Sequence, residues 1–333
     1  MKAVLSRVCG GPEALEIVEV AAPSPGPGQV VIAVHAAGVN APDALVIADR
    51  YQIKPPRPFS PGGELAGVVT ATGSAVRSLS VGDRVIAVPG WGAMAESVAI
   101  DERQCVVMPD AMPFDEAAVL LATYGTAYHA LVERARLQPG ERLLVLGAAG
   151  GVGSAAIELG KALGATVIAA ASTRDKVDFA LACGADRGVM YPPGEMSDGE
   201  RRDLAAAFKS ACDGGADVVC DPVGGQYAEP AIRTLNWQGR YLVVGFTAGI
   251  PRPPLNLVLL KSAAVLGVIF GAWIAHEPAA YRAQLDALLA LYAAGRIRPR
   301  ISARFPLEQA PDAIRLIGSR AAVGKIVITI RNA

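Results

Sequence analysis

The chain is short of the residues that mark secreted, metal-bound and membrane proteins. Its 333 residues include five cysteines, Cys9, Cys105, Cys183, Cys212 and Cys220, an odd and scattered set without a CxxC pair. That excludes a disulfide framework and a thiolate metal knuckle, and it fits a reduced, cytoplasmic protein. There are three histidines, His35, His129 and His276, and none stands at ligand spacing from another, so they read as core or surface side chains. An excess of one charge is also lacking. Lys and Arg number 31 against 31 Asp and Glu, which gives no reason to expect nucleic acid or an anionic membrane as partner. The opening MKAVLSRVCGG has neither an apolar signal core nor an Arg/Ser-rich transit pattern. One apolar stretch, Leu255 to Ala275, approaches membrane-spanning length, but it holds Lys261 and is broken by Gly267 and Gly271; core strand is the better reading. What these exclusions leave is a small-molecule partner.

What is present in quantity is glycine in one place. Leu143 to Gly164, LLVLGAAGGVGSAAIELGKALG, begins as an apolar run of strand length, turns through Gly147, Gly150, Gly151 and Gly153, and continues with Ala155, Ala156, Leu159 and Leu163 on one helical face. Such a turn lets the main chain approach a ligand closely and points free N–H groups of a helix N-terminus at an anion, so a diphosphate fits there. Further strands are expected at 166–171, 188–191, 216–221, 239–245 and 263–267, with helical patterns at 174–185 and 227–235 among them. That rhythm predicts a Rossmann doubly wound parallel sheet over about 123–265. Gly150, Gly151, Val152 and Gly153 are the expected diphosphate contacts, and Gly245 and Phe246 lie where ribose and nicotinamide should pass. The second strand ends Ala171, Ser172, Thr173, Arg174, with no carboxylate where an NAD-type site normally keeps one. Ser172, Arg174 and Lys176 instead offer a hydroxyl and two cations to a 2′-phosphate, which points to NADPH. Ser172 or Thr173 also suits a helix cap.

Residues 1–122 read as an all-β lobe, with short strands such as GQVVIAVHAAGV and LAGVVTATG between Pro/Gly turns, at spacings typical of a partly closed antiparallel barrel. A helix from Glu277 to Ala294, a strand near Ile301 to Phe305, a helix from Leu307 to Ile317 and a strand from Lys325 to Ile330 make a poor domain alone. Residues 266–333 are therefore expected to return and complete the first lobe, with the active site in the crevice between lobes. Phe270 and Lys325 are candidates for its other wall, and Phe270 also suits the core.

This order of parts resembles the medium-chain dehydrogenase/reductase superfamily, and an α/β chain with a GroES-like barrel lobe plus a Rossmann domain is what that implies. AAGVNAPD at 36–43, PGGELAGVV at 61–69, VGDRV at 81–85, ATYGTAYHAL at 122–131, LQPGERLLVLGAAGGVG at 137–153, DPVGG at 221–225 and AVGKIVI at 322–328 resemble its quinone oxidoreductase (zeta-crystallin-like) branch. Zinc members carry Cys where Asn40 stands and His where Gly63 stands, and Glu64 alone holds no zinc, so no metal is expected. The resemblance implies that Asn40 and Asp43 lie near the substrate, that Tyr51 lines the pocket or donates a proton, and that Thr126 contacts the nicotinamide carboxamide. Asn40 and Asp43 also suit a turn cap, Tyr51 a loop aromatic and Thr126 a helix hydroxyl. Lys176 and Tyr191, fifteen positions apart, match the pair that holds the 2′-phosphate in related quinone reductases. The family also implies a homodimer, and Ala263 to Ile269, AAVLGVI, would be an aggregation liability as an open edge.

The expected activity is zinc-independent hydride transfer from NADPH to a quinone or an α,β-unsaturated carbonyl. An enoyl-thioester reductase is the alternative, with Arg50, Lys54 and Arg57 as cations for CoA phosphates. A non-catalytic, crystallin-like NADPH-binding protein is the third reading.

Overall fold

Gln29–Val39 (QVVIAVHAAGV) is the strand on which the first part of the structure is laid, and nearly all of it is buried. Its β-branched residues suit an extended chain packed on both faces. Glu64–Thr72 pairs antiparallel along one edge; along the other, Ser97–Asp101 pairs with its beginning and Lys325–Thr329 with its end. The sheet continues through Arg84–Ala87 to Cys105–Val107 on one side and to Ile301–Pro306 on the other. Ile301–Pro306 and Lys325–Thr329 run parallel, joined by a crossover through the helix Ala310–Gly318, so the sheet is mixed where a purely antiparallel one was expected. Val4, Ile32, Val34, Leu65, Val85, Ile314, Ile326 and Ile328 close its core.

The computed structural model describes residues 1–331. It divides into two compact units, Met1–Ala122 with Pro299–Ala333, and Thr123–Arg298. In the second unit six parallel strands lie in the order Arg187–Met190, Thr166–Ala171, Arg142–Val145, Ala216–Asp221, Leu235–Val243, Ala264–Gly267. In chain order this is 3-2-1-4-5-6, the doubly wound arrangement.

The domain limits drawn from sequence need one correction. Residues 266–298 belong to the second unit, and only the chain from Pro299 returns to the first. The reason is anchorage. Ala264–Gly267 extends the parallel sheet, and Gln284, in the helix Pro278–Ala293, donates from Nε2 to the Gly125 carbonyl at 2.6 Å. Phe270 lies against Gly125 so closely that a Cβ there would sit 2.4 Å from its ring.

Gly38 shows how tightly the first unit is closed. It faces Glu64 across the sheet, and a Cβ at Gly38 would fall 2.4 Å from the Ala118 carbonyl oxygen and 2.5 Å from Glu64 Oε1. Backbone and a buried carboxylate cannot both give way. Gly38→Ala is expected to destabilise the protein by about 1 to 3 kcal/mol, the usual range for overpacking, and a calorimetric scan with an unchanged melting temperature would contradict this packing.

Candidate functional site

The register of the first unit gathers its charged side chains at one end of three adjacent strands. Ile326 stands opposite Val39, and Gly38 opposite Glu64, so Lys325, Asn40 and Glu64 are brought side by side. Lys325 and Glu64 are 3% and 0% exposed, and Asp43 is 5% exposed. Lys325 Nζ donates to Asn40 Oδ1 at 2.5 Å and to Glu64 Oε1 at 3.1 Å, with the Val39 carbonyl at 3.4 Å. Glu64 Oε1 also accepts from Asn40 Nδ2 at 2.9 Å, and Oε2 accepts from the Ala122 N–H at 3.0 Å. Burial of two opposite charges is tolerable only when each is hydrogen-bonded as fully as this.

Asn40 ends the long strand and begins the helix Ala41–Ile47. Asp43 accepts from the Asn40 N–H at 2.7 Å and from the Gly62 N–H at 3.2 Å, so one carboxylate clasps the helix start to the loop before Glu64. Burial pushes its pKa up to about 6, helped by the negative charge of Glu64 and opposed by these two N–H groups and by Lys325. Tyr51, half-buried against the same core, has its pKa raised, first by burial and then by the charge of Asp43. Its phenol therefore stays protonated and able to donate at neutral pH.

Two candidate cations are engaged by partners within the first unit. The Lys325 ammonium is engaged by Glu64, Asn40 and the Val39 carbonyl. Arg57, a candidate for CoA phosphates, is tied down: its Nη1 pairs with Asp49 at 2.9 Å and its Nη2 donates to the Ile47 carbonyl at 2.8 Å.

In the second unit the loops that follow the strands gather at the carboxyl edge of the parallel sheet, as the fold requires. Gly147 adopts φ +58°, and a Cβ on Gly153 would lie 2.3 Å from the Gly147 carbonyl oxygen. Only glycines let this turn close. The helix Gly151–Ala162 then starts at Gly150, with no side chain capping it and no acidic residue in its first turn. Its first internal bond is Ser154 N–H to the Gly150 carbonyl at 2.8 Å, which leaves the N–H groups of Gly151, Val152 and Gly153 directed outward. This cradle fits the diphosphate of a dinucleotide.

Tyr191 is buried, 4.6 Å ring to ring from Tyr227, and the Gly147 backbone hydrogen-bonds its phenol. It thus braces the glycine turn from inside. Ser172 follows Thr166–Ala171, and Thr173 caps the helix Arg174–Ala182 by accepting from the Lys176 N–H at 3.3 Å. Arg174 is largely exposed and pairs with Asp178 at 2.9 Å; such an exposed pair is weak and easily exchanged. Lys176 is half-buried on the first turn of that helix, Thr126 half-buried on Leu121–Tyr128, and Phe246 exposed beyond Leu235–Val243.

Two features escaped the reading of the sequence. Asp221, at a strand end, accepts from the Val223 and Gly224 N–H groups at 2.7 and 2.8 Å and from the Tyr241 hydroxyl, and so fixes the DPVGG loop. Its pKa is raised by burial against the pull of those donors. Phe270, itself 8% exposed, belongs to an aromatic group with His129, Trp273 and Tyr281. The signal for this group was the FGAW…Y spacing, which periodicity cannot distinguish from ordinary core.

A GroES-like β unit joined to a Rossmann sheet defines a two-unit dehydrogenase. Two family models match the chain: the alcohol dehydrogenase GroES-like domain over residues 26–110 and the zinc-binding dehydrogenase model over residues 151–290. Quinone oxidoreductase-like protein 2 of Rattus norvegicus is 37% identical over 319 residues, 95% of this chain and 89% of that protein. A probable oxidoreductase from Mycobacterium abscessus superposes with a TM-score of 0.87 at 35% identity, covering 99% of this chain and 98% of its own. Escherichia coli quinone oxidoreductase, solved with NADPH, gives 0.88 at 28% identity, covering 99% and 100%. The chain belongs to the medium-chain dehydrogenase/reductase family, among its quinone oxidoreductase-like members, and is an oxidoreductase.

The zinc-binding name of one family model calls for a test of fit. The two positions at which the resemblance to zinc members implies Cys and His hold Asn40 and Gly63. The remaining carboxylate, Glu64, already holds an ammonium. Among the described residues no group of three or more His, Cys, Asp and Glu side chains is arranged for a metal ion. The donor set does not fit catalytic zinc, which takes three protein ligands.

Asp43 makes the first unit sensitive to acid in a particular direction. Its folded pKa of about 6 lies above the ordinary 3.8, so between those values the folded state keeps a proton that the unfolded chain gives up. Its contribution to stability is full below 3.8 and lost as the pH rises through 6. Urea unfolding at several pH values across this window should show that slope in the wild type and its loss in Asp43→Asn; identical slopes would contradict the assignment.

Proposed function

We propose that the protein is an NADPH-dependent reductase of quinones and similar conjugated carbonyls that works without a metal. The observation that carries this reading is the buried Lys325–Glu64 pair with Asn40 beside it: the fixed cation there is an ammonium, and an amide and a carboxylate already bound to it make a poor ligand set for a Lewis acid. An acceptor that tolerates this is one whose developing anion is delocalised, as in a quinone or enone, and which needs little more than hydrogen-bond donors. Asn40 and the protonated phenol of Tyr51 are such donors. NADPH, when bound, supplies the hydride. The outward N–H groups of Gly151, Val152 and Gly153 suit its diphosphate, and Ser172, Arg174 and Lys176 suit its 2′-phosphate. Tyr191 and Asp221 act by holding the glycine turn and the 222–226 loop in place. Thr126, Gly245, Phe246 and Phe270 remain candidates for the nicotinamide end.

The engagement of Arg57 by Asp49 weighs against the enoyl-thioester alternative, since it removes one of three cations offered to CoA. A cytoplasmic setting accords with five free cysteines; no helix among the described residues is long and apolar enough to cross a membrane.

Oxidation of NADPH should be fast with benzoquinone or phenanthrenequinone, slower with an aliphatic enone and slow with crotonyl-CoA, and unchanged after dialysis against a chelator. Preference for the thioester, or activity lost to the chelator and restored by zinc, would overturn the reading. Lys176→Ala should raise the KM for NADPH by roughly ten- to a hundredfold, the equivalent of about 1.5 to 3 kcal/mol for a charged hydrogen bond, and leave NADH nearly untouched.

A homodimer formed through Ala264–Gly267 accords with that strand's position at the sheet edge and with exposed Leu255, Leu259, Val265 and Ile269 nearby in sequence. Light scattering should give twice the chain mass, and Val265→Lys should halve it. A wild-type protein of single-chain mass would refute the dimer.

A further inference from the structure

We propose that Lys325 and Glu64 are positioning residues that lock the side-chain amide of Asn40 in one orientation, so that its second Nδ2–H is a fixed donor to the oxygen on which negative charge gathers in the acceptor. The proposal rests on the reductase reading above and assigns the donor within it.

The argument begins with what each partner is able to do. An ammonium only donates, so it must face Asn40 Oδ1; a carboxylate only accepts, so it must face Nδ2. The amide of an asparagine is otherwise ambiguous by a half-turn, but here the two charges on either side leave one choice. Lys325 Nζ touches both Asn40 Oδ1 and Glu64 Oε1, and Glu64 Oε1 receives Asn40 Nδ2. The three groups thus close a ring, and the ring consumes the N–H on the same side as the amide oxygen. The other N–H points away from the ion pair and has no acceptor among the described residues. Asn40 is half-exposed, whereas its two partners are buried.

Neither charge is free to drift. The second oxygen of Glu64 is held by the Ala122 N–H, and Gly38 leaves no Cβ to push the carboxylate aside. The Asn40 backbone is clasped by Asp43. A donor fixed before the acceptor arrives costs no reorganisation when charge develops, which is where such groups are most effective.

A merely structural ion pair would make the same contacts, so the test must separate the two roles. Lys325→Met alone strands a buried carboxylate and threatens folding; the paired variant Lys325→Met/Glu64→Gln removes both charges and leaves a neutral amide that accepts Asn40 in either orientation. The expected result is a kcat for quinone reduction about tenfold or more below wild type, with the KM for NADPH unchanged. Asn40→Ala should lower kcat at least as far, and adding the paired change to Asn40→Ala should cost less than twofold more. Equal loss in both backgrounds, or an unaltered kcat in Asn40→Ala, overturns the proposal.

A second arm does not depend on turnover. Binding of 4-nitrophenolate to the NADP⁺-loaded protein, read by the shift of its absorbance, should be weakened about tenfold in both Asn40→Ala and the paired variant. Equal affinity in all three proteins, or no binding in any, overturns the donor assignment. Should the wild type reduce none of the acceptors and yet keep this order of affinities, the reductase reading fails and the oriented donor stands.

Discussion

Three strand ends meet on one buried ion pair, and most of what distinguishes the first unit follows from that meeting. Lys325 belongs to the last strand, Glu64 to a strand near the start, and Asn40 to the junction of the longest strand with its helix. Two charges withdrawn from water are costly unless every lone pair and proton is matched. The match is supplied by an asparagine amide, a backbone N–H from Ala122 and a carbonyl from Val39. These demands fix the register of the sheet at that end, exclude a side chain at Gly38 and give the asparagine its orientation. The same cation takes up the one carboxylate, Glu64, that stands at this end of the sheet beside Asn40.

The second unit solves the opposite electrostatic problem. There the positive end of the helix Gly151–Ala162 has no acidic side chain in its first turn, and its cap is a glycine. In most helices that vacancy would be filled by Ser, Thr, Asp or Asn, because uncapped N–H groups are unfavourable. An uncapped helix end of this kind is a suitable place for an anion. Tyr191 and Asp221 brace the surrounding loops from the interior, so the first unit matches its buried charges with one another while the second leaves this helix start without a side-chain cap.

Much of this was legible in the residues. The strand–glycine–helix pattern and the rhythm that follows it lead to the parallel sheet because period and turn chemistry are local properties. The helix Asp198–Ala211 was missed although Ser197 and Glu200 form a capping box and Leu204 and Phe208 lie on one face; its polar composition hid a short apolar stripe. The extent of the returning segment was misjudged for a different reason. A helix such as Pro278–Ala293 carries no mark of which sheet it covers, and its attachment to Gly125 is a contact between residues far apart in sequence. Lys325 was singled out, but its partner could not be, since the pairing of Lys325–Thr329 with Gln29–Val39 is set by the assembled sheet and leaves no trace in spacing. Glu64 stood in the sequence as a metal ligand without companions, and only the register shows that it has two.

The same register has a bearing on how the protein comes into being. The second unit is one unbroken stretch, Thr123–Arg298, whereas the first needs the chain from Pro299 onward. A strand beside Val39 is lacking until Lys325–Thr329 has been made. During synthesis the nucleotide-binding unit is therefore able to fold while the β unit still waits with an open edge along Gln29–Val39 and an unpaired carboxylate at Glu64. Closure across so long a separation in sequence is intrinsically slow, and an incomplete sheet edge is prone to pair wrongly. The strand Lys325–Thr329 thus acts as the closing stave of the sheet, and a polypeptide released before it would keep its Rossmann unit but leave its GroES-like unit unfinished.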